Sequence, residues 1–128
     1  MMNAVDRRSV RGGPAVERLL EAACQAFQLR NVGVLRGKSR VRAVSRARCY
    51  IASVLRGEGF NFSAPEIGKV LGGKDHSVVF YYLKTYPKLL KDDIYSRRVG
   101  EAEEIRKRFV RKTAELSIGT ASTEGSPR

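Results

Sequence analysis

The pair Gly72–Gly73 constrains this chain more than any other feature, because each segment beside it carries its own helix-start signal. Upstream, "SAPEIGKVL" sets Ser63 three residues before Glu66. That is the spacing of a capping box, in which hydroxyl and carboxylate each satisfy a backbone N–H at the start of a helix. Pro65 falls in the first turn, where its missing N–H costs little. Ile67, Val70 and Leu71 form the inward face, and the two glycines end the helix. Downstream, "KDHSVVFYYLK" predicts a second helix from near Asp75, with Val79, Tyr82, Leu83 and Tyr86 on one stripe. Pro87 is expected to bend or end it. Two helices across a glycine-containing turn make a helix-turn-helix.

Other helical stripes surround this unit. Val16, Leu19, Leu20, Ala23 and Phe27 follow the spacing of one buried helix face, and Val44, Ala47, Ile51, Val54 and Leu55 form a second that stops at "GEG", residues 57 to 59. Between them Val34 and Leu35, flanked by Gly33 and Gly37, read as a short anchoring turn. A last helix over about 92 to 116 turns Ala102, Ile105, Phe109 and Leu116 inward. Glu103–Lys107 and Glu104–Arg108 are i, i+4 pairs on its outer side. With no internal repeat and no period-2 strand, the expected fold is an all-α bundle, one domain over 13–116. Residues 1–12 read as a flexible basic arm and 117–128, rich in Gly, Ser and Thr, as a disordered tail.

Charge sets the function class. An apolar fraction of 42% is ordinary for a globular domain, but 25 Lys+Arg against 13 Asp+Glu give a net charge of +12. That excess repels itself unless a polyanion sits against it, which puts nucleic acid ahead of an anionic membrane. Cys24 and Cys49 lie apart within apolar helical patterns and read as reduced core thiols of a cytosolic protein. One histidine and no close cysteine pair are too few ligands for zinc. No glycine-rich phosphate loop points to ATP, and no signal peptide or membrane-spanning run appears. Adjacent Asp75 and His76 do not make a dyad on one helix face, and no nucleophile accompanies them. Neither an enzyme nor a cofactor is expected.

Two constellations carry the candidate contacts. "RGKSRVRAVSRAR", residues 36 to 48, holds Arg36, Lys38, Arg40, Arg42, Arg46 and Arg48 and no acid, running from a loop into the first turns of a helix. Cations there oppose the helix macrodipole, so folding alone does not select them, whereas phosphates and a narrow minor groove suit them. The second is the tip of the later helix, whose N-terminal residues meet base edges in a helix-turn-helix. Lys74 can donate to guanine or to phosphate, Asp75 accept from cytosine, His76 or Ser77 make one hydrogen bond, and Val78 meet a thymine methyl. Asp75 can equally be the helix N-cap. Ser63, at the start of the first helix, is a further candidate.

Both stretches resemble the C-terminal DNA-binding domain of the bacterial replication initiator DnaA. "SAPEIGKVLGGKDHSVVFYYLK" is similar to that family's signature, roughly S-L-P-E-I-G, four variable residues, then G-G-R-D-H-T-T-V, and "KSRVRAVSRAR" matches its basic loop and following helix. The likeness covers about residues 14 to 112. It implies an all-α bundle around a helix-turn-helix, distantly similar to the Trp repressor. It implies minor-groove insertion for Arg40, backbone contacts from neighbours such as Lys38 and Arg48, and major-groove contacts from Pro65, Lys74, Asp75, His76, Ser77 and Val78. Here Lys74 stands where the family has arginine, and Ser77–Val78 where it has two threonines, so the preferred bases are expected to differ from those of a DnaA box.

The expectation is therefore a cytoplasmic, nucleoid-associated binder of double-stranded DNA that regulates transcription or replication. It is expected to act without the initiator's ATPase domain, monomeric on DNA, with no membrane partner and with other regulatory proteins left open. The competing readings are a low-specificity DNA-coating protein and a protein-interaction adaptor that docks through Phe80 and Tyr81.

Overall fold

A computed structural model of the chain describes residues 13–57 and 59–122, with side chains through residue 109. The described residues form six helices and no strand: α1 (Gly13–Ala26), α2 (Val32–Arg36), α3 (Arg42–Arg56), α4 (Ala64–Val70), α5 (His76–Leu89) and α6 (Asp93–Ser122). The fold is all-α. The expected N-terminal arm lies outside the described residues.

The stripes became the core. Val16, Leu19, Leu20, Ala23 and Phe27 are buried, as are Val44, Ala47, Ile51, Val54 and Leu55. They join Ile67, Leu71, Val79 and Tyr82 in one continuous cluster. Helix α1 packs along α6, α3 along α5, and α4 across α5. Cys24 and Cys49 are free and buried in that core, and burial pushes their thiols up to about 11 and about 12.

A polar seam straps α6 to the bundle. The buried Tyr50 donates its hydroxyl to Glu103, whose carboxylate also accepts from Arg106 at 2.7 Å. The hydroxyl of Tyr95 reaches back to the carbonyl of Arg46 at 2.8 Å. Glu103 is thus turned toward the core rather than outward. Glu103 and Glu104 pair with Arg106 and Lys107, one residue nearer than the i, i+4 partners expected, and Arg98 pairs with Glu101 at the same i, i+3 spacing. Two boundaries also differ from expectation. Helix α5 carries through Pro87 to Leu89, because a proline in the last turn forfeits only one backbone hydrogen bond. Helix α6 continues to Ser122, past the expected tail boundary at 116.

The helix-turn-helix is built on two close backbone approaches. Gly68, buried on α4, offers its carbonyl to the N–H groups of Gly73 at 2.8 Å and Lys74 at 2.9 Å, folding the turn back over the helix. A methyl group on Gly68 would sit 2.1 Å from the carbonyl oxygen of Lys74. Gly72, at φ +87°, passes against the backbone of Arg36, where a Cβ would meet that carbonyl oxygen at 2.0 Å. Neither obstacle is a side chain that can swing away.

Gly68→Ala is therefore expected to destabilise the fold by about 3 kcal/mol or more in chemical denaturation. Gly100→Ala on α6 has open space and is expected to be neutral or to gain up to about 1 kcal/mol. Equal effects at the two positions would contradict the packing described. Native protein at pH 8 should show both thiols inert to a disulfide reagent, since less than about one in a thousand is ionised, and reactive once unfolded.

Candidate nucleic-acid interface

The loop between α2 and α3 is organised from beneath by Arg48. The residue is 3% exposed, and its guanidinium donates to four carbonyls: Leu35 at 2.9 Å, Ser39 at 2.8 Å, Gly37 at 2.8 Å and Val34 at 3.2 Å. Carbonyls at the end of a five-residue helix and in an irregular loop lack helical partners, and a planar five-donor fork satisfies several at once. Arg36 is also engaged, pairing with Glu17 at 2.5 Å and donating to the carbonyl of Val70 at 3.1 Å. With the loop backbone held inward, Lys38 and Arg40 are exposed. Arg42 is exposed at the first position of α3, and Arg46 is half-buried one turn later. Of the six cations in the run, four are available at the surface. Arg48, expected among the contacts, is spent on the loop itself.

Asp75 caps α5. Its carboxylate accepts from the backbone N–H of Ser77 at 3.0 Å and from the Ser77 hydroxyl, and these hydrogen bonds hold the acid below the usual carboxylate range. His76 follows at the first helical position with its side chain 61% exposed. Its imidazole meets the ring of Phe80, one turn on, edge to face at 6.1 Å. The nearest approach of Asp75 to the imidazole, 3.8 Å, exceeds hydrogen-bond length, so the two are not a catalytic dyad. Val78 is half-buried against the core, leaving less apolar surface than the sequence suggested. Pro65 is exposed in the first turn of α4. The hydroxyl of Ser63 accepts from Glu66 N–H at 3.3 Å, while the Ser63 N–H donates to the Glu66 carboxylate at 2.7 Å. The capping box is complete.

Lys74 joins the two constellations. Its ammonium donates to the carbonyl of Leu71 at 3.1 Å, inside the turn, and to that of Gly37 at 2.7 Å, inside the basic loop. Burial, followed by the nearby charges of Arg48 and Lys38, lowers its pKa. The Gly37 carbonyl thus accepts from both Arg48 and Lys74, which brings the cation-bearing loop beside the tip of α5. Among the described residues no group of three or more His, Cys, Asp or Glu is placed to hold a metal ion. No helix among them is long and apolar enough to cross a membrane.

The burial of Arg48 had a signal in the sequence: it falls at i+4 from Val44 and i−3 from Ile51, on the apolar stripe itself. Tyr95 had one too, standing seven residues before Ala102 on the inner face of α6.

The chain matches the family model described as bacterial dnaA protein helix-turn-helix over residues 16–85, more than half its length. It is similar to chromosomal replication initiator proteins DnaA. The protein from Bacteroides thetaiotaomicron is 34% identical over 94 residues, 73% of this chain and 20% of that protein. Those from Sphingopyxis alaskensis and Leifsonia xyli are 37% identical over 90 residues and 45% over 74, covering 66% and 58% of this chain. The chain spans about a fifth or less of the length of the curated relatives it matches. No solved structure matches. From α1 to the second half of α5, where the basic loop, the capped turn and the exposed imidazole all lie, the chain belongs to the bacterial DnaA helix-turn-helix family.

Proposed function

We propose that this protein binds double-stranded DNA sequence-specifically, without catalysing a reaction, and acts as a regulator of transcription or DNA replication. The supporting observation is the shared Gly37 carbonyl, which ties an acid-free row of cations to the exposed amino-terminal tip of a capped helix. Arg40 and its neighbours Lys38, Arg42 and Arg46 supply sequence-independent grip on phosphates and the minor groove. The tip of α5, with His76 and Ser77 outermost, reads the major groove, and Pro65 on α4 faces the same duplex. Asp75 keeps its capping role and presents its remaining lone pairs to a base. Lys74 and Arg48 set the geometry between the two elements. Lys74 has one ammonium hydrogen beyond its two carbonyl bonds to offer to DNA.

A DNA-coating protein would use the same charge and ignore the bases. Binding to a preferred and a random duplex across salt concentrations separates the two. The specific reader is expected to favour its site by about 10³ or more. A ratio near one with a steep salt slope would establish the coating role instead. Arg40→Ala should weaken both duplexes alike. His76→Ala should cost about 1–3 kcal/mol on the preferred duplex and little on the random one. Equal losses on both for His76→Ala would remove the imidazole from base readout.

A further inference from the structure

Alongside the reading tip, α3 and α5 leave a cleft of about 430 Å³ between them. One wall is a row of α3 with the loop before it: Arg40, Arg42, Ser45 and Arg46. The other is a row of α5: Tyr81 and, one turn later, Thr85. Every one of these six side chains can donate a hydrogen bond, and no carboxylate lines the cleft. Among the described residues none of the three guanidinium groups is paired with a carboxylate. Arg40, Arg42 and Tyr81 are exposed, Tyr81 at 59%, so the cleft is open along its length rather than sealed around a small molecule.

We propose that this cleft holds a phosphodiester of the DNA strand that runs between the two groove contacts, with the Tyr81 hydroxyl as a positioning donor opposite Arg42 and Arg46. Three cations beside three hydroxyls, without an acid, form a site for an anion and exclude a metal ion. Arg40 belongs both to this cleft and to the basic loop, so a strand gripped by Arg40 passes its neighbouring phosphates along the cleft. The inference rests on the duplex-binding reading above and adds to it a role for Tyr81, whose exposure otherwise suits a protein-docking ring.

Duplexes carrying a single neutral methylphosphonate, moved one position at a time, test the assignment with the wild-type protein and Tyr81→Phe. Because Tyr81 is solvent-exposed, the variant keeps the fold. Tyr81→Phe is expected to weaken preferred and random duplexes by the same factor, about tenfold, as for a hydrogen bond to a charged group. Its salt slope should be unchanged, whereas Arg42→Ala or Arg46→Ala should lower the slope by about 0.9. At one or two adjacent positions the methylphosphonate should weaken both proteins, because Arg42 and Arg46 lose their charge partner, but by about tenfold less for Tyr81→Phe than for the wild type. Wild-type affinity for Tyr81→Phe would overturn the proposal, and so would a loss that follows a base change instead of a phosphate position. Saturable binding of inorganic phosphate, abolished by Tyr81→Phe while duplex binding persists, would assign the cleft to a free anion and overturn it too. If the wild type shows no sequence preference, the reading of a specific binder fails while the Tyr81 comparison on random DNA still stands. If preference is normal and Tyr81→Phe is silent, only the cleft assignment fails.

Discussion

One carbonyl oxygen, that of Gly37, fixes how the exposed surface of this protein is arranged. It accepts from the buried guanidinium of Arg48 at 2.8 Å and from the ammonium of Lys74 at 2.7 Å. The first bond belongs to a fork that also collects carbonyls of α2 and of the loop, so the loop backbone is pulled onto the bundle. The second bond comes from the turn of the helix-turn-helix. A loop of this kind would otherwise move independently of a helix 37 residues further on in the sequence, since loops have few apolar contacts to hold them. Here the two are tied through a single acceptor with charged donors on both sides, the stronger class of hydrogen bond. The close passage of Gly72 against the backbone of Arg36, the residue before Gly37, supports the same junction at the C-terminal end of α2.

This arrangement changes the meaning of the lysine at position 74. In the family signature that position is an arginine, and its replacement looks at first like a loss of bidentate base recognition. A compact ammonium on a flexible stem, however, fits two carbonyls converging from the turn and from the loop. Partial burial lowers its pKa, the cost of placing a cation there beside Arg48 and Lys38. The site therefore accepts some electrostatic strain in order to hold loop and turn together, and leaves His76 as the freest polar side chain of the tip, since the Ser77 hydroxyl already donates to Asp75.

Most of the scaffold was legible because burial leaves a period in the sequence. The stripes of α1 and α3 were read directly from their spacing, and so was the capping box of Ser63 and Glu66, which is a local arrangement of neighbouring groups. What composition could not separate was the use of each arginine. Arg36, Arg46 and Arg48 are identical as entries in a charge count, yet one pairs with Glu17, one lines a cleft and one is buried under the loop. Their fates depend on which carbonyls and carboxylates the tertiary fold brings near, and those partners lie 9 to 34 residues away. The inward turn of Glu103 was hidden for the same reason, because its partner, Tyr50, sits 53 residues earlier.

With Arg36 paired to Glu17 and Arg48 buried, the uncompensated charge of this region is confined to a few side chains. Lys38, Arg40, Arg42 and Arg46 remain on one loop and the first turns of one helix, where the macrodipole already disfavours positive charge. None of the four has an acidic partner among the described residues, in contrast to α6, where Arg106 and Lys107 are each matched by a glutamate. The fold thus neutralises cations where it needs only a solvated surface and leaves them uncompensated beside the amino-terminal tip of α5. Self-repulsion among fixed cations is relieved by an anion that can lie along all of them at once. An extended polyphosphate backbone meets that condition, and an isolated small anion does not.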